Sequence, residues 1–331
     1  MIFKNVLITG GCGFIGSNFL KLILKKEKYN IVNIDKLTYA SRLVKINYKN
    51  YKFYKLDICS YNRLKKIIFQ FKPDVIIHFA AETHVDNSII NNSNFVNTNI
   101  VGTSNLINIS REFISKNKKT SKFKFIHIST DEVFGQLLNK KKTFSETSKY
   151  NPRNPYAATK ASSDFLIKAY INTYGFPAII LNCSNNFGPF QHTEKLIPKI
   201  VKNTILNKKI PIYGKGMNIR DWVYVEDFCE AIFKIMLKGK VGETFNVGAN
   251  NEISNLELAK MIIQKIGKKT NVKIKPSSRI KFVKDRPGHD FRYAINSKKL
   301  RKFVKWKPQN SLDKGLSKTI DYFLNLYENE K

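Results

Sequence analysis

The sequence predicts an α/β fold: a doubly wound parallel sheet followed by a smaller C-terminal α/β region. Three observations predict it. Through the first 184 residues, short apolar runs alternate with longer amphipathic stretches, the pattern of parallel βαβ units. The first apolar run ends in closely spaced glycines that open a helical stretch. The chain has 331 residues, 42% hydrophobic and 12% aromatic, so it can bury a large core.

The strands are expected in NVLITG (5–10), NIVNID (30–35), YKFYKLDI (51–58), DVIIHFAA (74–81), KFKFIHIST (122–130) and AIILNC (178–183). Helices are expected over 14–27, with Phe19, Leu22 and Ile23 on one side, and over 62–71, 93–117 and 156–174. Right-handed crossovers put the loops after the strand ends along one rim, where ligands bind. Beyond residue 184, Gly and Pro break the pattern and helices are expected at 226–238, 255–266 and 311–327. The expected division is a domain over 1–184 and a second region over 185–331. Part of the latter, about 220–250, returns to the first domain through a strand at 243–248. No internal repeat or low-complexity linker interrupts the chain.

Basic residues number 58 against 25 acidic, a formal net charge of +33. Only nine of them are arginine, the residue suited to bidentate phosphate and base recognition, and the lysines are scattered among asparagines and isoleucines. This reads as compositional drift and a solvated basic surface, with no nucleic-acid partner expected. Cys12, Cys59, Cys183 and Cys229 form no C-x-x-C pair, which argues against a zinc site or disulfide scaffold, so no metal is expected. No secretory h-region and no membrane-length apolar run is visible, and a cytoplasmic protein with no membrane partner is expected.

The glycines after the first strand, Gly10, Gly13 and Gly16, form G-x-x-G-x-x-G between a strand and a helix. The first permits the tight turn, the second the approach of a pyrophosphate, and the third close helix–strand packing. The phosphates then lie on the helix start at Phe14. Asp35 ends the second strand, where a carboxylate accepts from ribose hydroxyls and repels a 2′-phosphate, so NAD is favoured over NADP. Asp57 and Ile58, ending the third strand, are placed to reach the adenine of this Rossmann site.

Tyr156 and Lys160 stand one helical turn apart as Y-x-x-x-K. An ammonium and a cationic nicotinamide ring are expected to lower the phenol's pKa so that it takes a proton from an alcohol. Thr130, Asp131 and Glu132 end the fifth strand. Two adjacent carboxyls at a sheet rim suggest more than alcohol oxidation: a ketone acidifies the neighbouring C–H, one carboxylate removes that proton, and a protonated one helps the next hydroxyl leave. Adjacent residues on a straight strand face opposite ways, so the scheme requires the strand to turn there.

The segments LITGGCGFIGS, NIDKLTYA, HFAAETHVD, NTNIVGT, ISTDEVFG, NPYAATKASSD, NCSNNFGP, EKLIPKI, PIYGKG, IRDWVYVED, ETFNVG and DRPGHD together resemble the dTDP-glucose 4,6-dehydratase family of the extended short-chain dehydrogenases/reductases. The resemblance runs nearly end to end. It implies a hydro-lyase that keeps and regenerates NAD, converts dTDP-glucose to the 4-keto-6-deoxy sugar and feeds deoxysugar and surface-polysaccharide synthesis. By resemblance, Tyr156 takes the 4-hydroxyl proton as hydride leaves C4, with Thr130 bonding that oxygen. Glu132 removes the C5 proton and Asp131 protonates the departing C6 hydroxyl. Phe14, Ile15, Lys36, Thr38, Ala80, Ala81, Thr98 and Asn186 are then further cofactor contacts. Thr83, Asn185, Lys195, Leu196, Pro211, Tyr213, Arg220, Asn255, Arg286 and His289 meet the nucleotide sugar. A homodimer through the helices at 93–117 and 156–174 is implied as well.

The sequence departs from the family at Phe134, where a tyrosine is usual, at 42–50, and at Arg153-Asn154 before the catalytic tyrosine. None of these is expected to touch the acid, base or phenol. The remaining alternatives are a 4-epimerase or a dehydratase of another nucleotide sugar. From a different class, a basic nucleic-acid-binding protein on the same scaffold predicts clustered arginine, which is absent.

Overall fold

Runs of four to seven residues, largely buried except in the edge strand over 51–55, build the central sheet of the computed structural model, which describes residues 3–43, 46–117, 122–139 and 141–328. The first half contains β1 (Asn5–Thr9), α1 (Phe14–Leu24), β2 (Asn30–Asp35), β3 (Tyr51–Lys55), α2 (Tyr61–Phe71), β4 (Val75–His78), α3 (Val85–Ile90), α4 (Ser93–Phe95), α5 (Thr103–Asn117), β5 (Lys124–Thr130), α6 (Pro155–Tyr174) and β6 (Ala178–Cys183). The second half contains β7 (Asn185–Phe187), α7 (Leu196–Ile205), β8 (Ile210–Tyr213), β9 (Ile219–Tyr224), α8 (Val225–Lys238), β10 (Thr244–Val247), β11 (Glu252–Ser254), α9 (Asn255–Thr270), β12 (Ile280–Val283), α10 (Lys298–Val304) and α11 (Leu312–Glu328).

Seven strands pair in parallel in the order β3-β2-β1-β4-β5-β6-β10. The predicted returning strand is β10, which seals the β6 edge in register Thr244 to Ile180 through Val247 to Cys183. Buried on both faces, the central strands read as continuous apolar runs rather than alternating ones. One core layer packs α1 and α8 against the sheet through Phe19, Ile23, Phe228 and Ile232. The other packs α2, α5 and α6 through Leu64, Ile68, Ile107 and Ile167.

Beyond the sheet's rim lie a three-stranded sheet, β11-β9-β7, and a two-stranded one, β12-β8. They share a third core with α7, α9 and α11 that includes Phe187, Trp222, Ile262 and Ile320. The C-terminal segment is tied back by Asp227, whose carboxylate accepts from the Gln309 and Asn310 backbone N–H groups at 3.0 Å each and from Asn310 Nδ2 at 3.1 Å. Trp306 Nε1 donates to the carbonyl of the same residue at 2.9 Å.

Several elements are shorter than expected, α1 ending at Leu24 rather than 27 and β4 at His78 rather than 81, and two further differences bear on the site. The third strand ends at Lys55 rather than 58, because Asp57 Oδ1 accepts the Cys59 N–H at 2.8 Å and turns the chain. The helix expected over 93–117 is α4 and α5 joined by a π-helical stretch, Val96–Gly102. The wide turn swings Asn99 inward, where Oδ1 accepts the Glu82 N–H at 2.9 Å and Nδ2 donates to Thr159 Oγ1 at 2.9 Å. Of the 42–50 stretch, residues 44 and 45 lie outside the described residues. Phe134 packs flat on Phe144, ring centroids 5.1 Å apart, so the position serves an apolar contact.

Replacing Asp227 with alanine orphans three buried or part-buried donors. Urea unfolding should show a loss of about 2–4 kcal/mol.

Candidate active site

The first cleft opens where β1 ends. Gly10 adopts φ +73° and a Cβ there would lie 2.5 Å from the Ala80 backbone nitrogen, so the turn requires glycine. A Cβ on Gly16 would collide with the Gly10 carbonyl, which lets α1 start hard against the strand. A Cβ on Gly13 would approach protein only at Gly10 O, 3.3 Å away, so the space kept clear belongs to the cleft. The carboxylate of Asp35, 6% exposed, accepts from the Cys12 N–H at 2.9 Å and the Leu37 N–H at 2.8 Å, which fixes it at the cleft wall. Lys36 bonds Thr98 Oγ1 at 2.9 Å and pairs with Glu82 at 2.9 Å. Every cofactor residue expected from the sequence lines this cleft: besides those just named, Phe14, Ile15, Thr38, Asp57, Ile58, Ala80, Ala81, Tyr156, Lys160 and Asn186.

At its far end the cleft meets the turn after β5. The strand stops at Thr130 and tightens at once into a single 3-10 turn, Asp131–Phe134, with Thr130 Oγ1 accepting the Glu132 N–H at 3.3 Å. The turn that two adjacent carboxyls require is therefore present, and Thr130, Asp131 and Glu132 line one cleft with Tyr156 and Lys160. The last two sit in the first turns of α6. That helix is started by Pro155 at its first position and capped by Asn154, whose Oδ1 accepts the Ala157 N–H at 2.8 Å. Lys160 Nζ donates to Ile128 O at 2.8 Å and lies 3.4 Å from His127 Nε2. Behind it, Asp164 accepts from Ser129 Oγ at 2.7 Å and Tyr150 OH at 2.9 Å.

Burial pushes the Asp131 carboxyl well above its ordinary range, and the Glu132 and Asp221 carboxylates add to the shift. Burial also raises Glu132, but the Asn154 amide and the cations Arg220, Lys195 and Arg286 draw it back. Both carboxyls are thus raised, Asp131 the more strongly, and Glu132 has more partners that oppose the shift. In the protein itself burial, reinforced by Glu132, holds Tyr156 well above its usual value, while a hydrogen bond with Thr130 opposes the shift. The Lys160 ammonium is committed to Ile128 O and is itself depressed by burial to about 8.

A second cleft adjoins the first. Glu132 lines both, as do Thr83, Asn185 and Lys195. The remaining substrate residues expected from the sequence, Leu196, Pro211, Tyr213, Arg220, Asn255, Arg286 and His289, line only the second; Thr130 lines only the first. Arg286 forks onto Asp86 at 2.6 and 3.1 Å and Tyr213 OH donates to the same carboxylate at 3.1 Å. Lys195 Nζ donates to Thr83 O at 2.7 Å, and His289 Nδ1 lies 2.7 Å from Asp285. Sequence reasoning missed Asp86, Gln191, Glu194 and Asn154. Asp86 was legible in HFAAETHVD, just past the rim of β4, whereas the loop holding Gln191 and Glu194 carries no periodicity. One expectation is overturned: Asn154 does touch the acid–base pair, donating from Nδ2 to Glu132 Oε2 at 3.2 Å, because its segment folds back over the 3-10 turn.

Residues 7–319 match the GDP-mannose 4,6 dehydratase family. A dTDP-glucose 4,6-dehydratase of Neisseria meningitidis is 42% identical, over 97% of this chain and 94% of that protein. The chain belongs to the dTDP-glucose 4,6-dehydratase family. Among solved structures, the Bacillus anthracis dTDP-glucose 4,6-dehydratase, in complex with NAD, superposes with TM-score 0.86 at 39% identity and 98% coverage of both chains. That of Streptomyces venezuelae, also with NAD bound, gives 0.89 at 34% identity and 97% coverage of both. The first cleft here fits such a dinucleotide: Gly13 keeps its Cβ space open to the cleft, and the buried Asn186 Oδ1 and Gln191 Oε1 have no partner among the described residues.

Between about pH 8 and the ordinary lysine value of 10.5 the unfolded chain keeps a proton that folded Lys160 has lost. Stability contributed at this position therefore rises with pH through that window. Urea unfolding at pH 7.5 and 10 should show wild type gaining stability relative to Lys160→Met.

Proposed function

We propose that this chain is a dTDP-glucose 4,6-dehydratase that uses NAD. The carrying observation is the position of Glu132. It lies where the two clefts meet, beside a carboxyl held protonated and a phenol on the adjacent helix. A 4-epimerase needs Tyr156 and Lys160 but has no use for a carboxyl pair that eliminates water.

The glycine turn and Asp35 of the first cleft would hold NAD, which would supply the two-electron chemistry for oxidation of the sugar at C4 and reduction at C6. Tyr156 takes the C4 hydroxyl proton as the phenolate; burial alone opposes that form, and a cationic ring beside the phenol would favour it. Lys160 and Thr130 orient the phenol and the sugar oxygen. The resulting ketone acidifies C5–H, and Glu132 removes that proton in its carboxylate form. Asp131, kept neutral by burial, protonates the departing C6 hydroxyl. Arg220, Arg286 and Lys195 supply the charge that a diphosphate bridge requires. Asp86 holds the Arg286 fork flat until then.

The reading extends to a homodimer in the cytoplasm. Its support is apolar exposure along the helices concerned: Val96, Val101 and Phe165 are 38%, 44% and 55% accessible. Among the described residues no helix is long and apolar enough to cross a membrane.

Incubation with dTDP-glucose should give a dehydrated 4-keto sugar by mass spectrometry with no net absorbance at the NADH wavelength. Accumulating NADH would instead identify a simple dehydrogenase. Glu132→Gln should slow product formation by about 10²–10⁴-fold with nucleotide-sugar affinity nearly unchanged. An unaltered rate would remove Glu132 from the role of base.

A further inference from the structure

Asn154 makes two contacts with one amide. Its oxygen accepts the Ala157 N–H and caps α6, and its nitrogen donates to Glu132 Oε2 at 3.2 Å. These partners fix the amide's orientation. A backbone N–H demands the oxygen and a carboxylate demands the NH₂, so a flipped amide would set like against like at both ends. The residue is 7% exposed, so water cannot easily substitute.

The segment carrying it is clamped on two sides. Asn151 N–H donates to Val133 O at 2.9 Å, and Gly135, at φ +78°, leaves no room for a Cβ against Asn151 O. On the other side Gly288, at φ +65°, would bring a Cβ to 2.7 Å from Arg153 O, and Arg153 Nε lies 3.3 Å from Asp290. The loop before α6 is thus wedged between the turn bearing the acid and base and the loop bearing Arg286. Tyr156 N–H, the next donor of the helix, goes to Ser88 Oγ at 3.2 Å.

We propose that Asn154 is a positioning residue for proton abstraction at C5, coupling the Glu132 carboxylate to the start of the helix that carries Tyr156. The inference rests on the reading of Glu132 as the base. A helix cap alone needs only an acceptor oxygen, and serine supplies that about as well as asparagine. The donor half of the amide is surplus to capping, and its one partner among the described residues is Glu132. The carboxylate's other neighbours are settled by the fold. Burial disfavours its charge, and Arg220, Lys195 and Arg286 favour it. Asn154 is the neutral donor in the set, and it supports the ionised form without adding a cation that would compete for the diphosphate.

The test uses the full chain with NAD and dTDP-glucose and reads solvent deuterium uptake at C5 against pH, with melting temperature as control. Asn154→Ser keeps a cap and removes the donor. The acid limb of the profile should move up by roughly 0.5–1 pH unit, since protonated Glu132 is inactive and loses less by staying protonated. Melting temperature should change little. Asn154→Asp keeps the acceptor and sets a second carboxylate beside Glu132, so its limb should move further in the same direction. An acid limb unmoved in both variants overturns the inference, as does a fall in rate that follows melting temperature alone. Glu132→Gln, run in parallel, separates the two readings. If it abolishes uptake while both Asn154 variants keep the wild-type limb, Glu132 remains the base and Asn154 is only a cap. If uptake persists in Glu132→Gln, the underlying assignment fails first.

Discussion

The chemistry of this protein depends on one backbone event, the collapse of β5 into a 3-10 turn immediately after Thr130. Had the strand run on by two residues, the side chains of Asp131 and Glu132 would have alternated, one toward each face of the sheet. The turn instead brings both to one cleft. Because that cleft is walled by a parallel sheet buried on both faces, the carboxyls lie in a medium where burial is the largest influence on their ionisation. Their difference then comes from what else they touch. Asp131 meets chiefly other carboxylates, and Glu132 meets an amide and three cations. Geometry makes them neighbours, and environment makes them unlike.

The same reasoning places the cofactor and sugar sites. A sheet whose strands all point one way gathers its loops on one rim, so residues from β1, β2, β4, β5 and the start of α6 converge there although up to 150 residues separate them. The second region contributes the other wall, with its own core in β7, β9, α7, α9 and α11, and supplies the arginines. The two clefts share Asn185 and Asn186 because the chain crosses directly from β6 into β7 at that rim.

Much of this was legible in the sequence because its signals are local. β2 and β6 begin and end where their apolar runs do, and the glycine spacing follows from steric collisions between atoms a few residues apart. The catalytic pair one turn apart on α6 needs only the helical repeat. What was not legible depends on distant contacts. The π-helical stretch at Val96–Gly102 is held by Asn99 reaching Glu82 and Thr159, and no pattern within residues 93–117 encodes that. The setting of Tyr156 was not legible for a related reason. A lysine four residues away is visible in sequence, but its engagement with Ile128 O and the phenol's burial beside Glu132 are properties of the packed site. Asn154 was dismissed because a cap reads as a local device, whereas its second bond spans a loop of 22 residues.

The closing strand β10 carries a further consequence. Among the described residues it pairs with β6 alone, yet some sixty residues separate them in the chain, including β7, β8, β9, α7 and α8. During synthesis, therefore, the first six strands emerge with an apolar, unpaired border along Ile179, Ile180 and Leu181 until residue 247 is translated. A nascent chain in that interval is exposed to edge-to-edge association, and completing the sheet is a late, high-contact-order step.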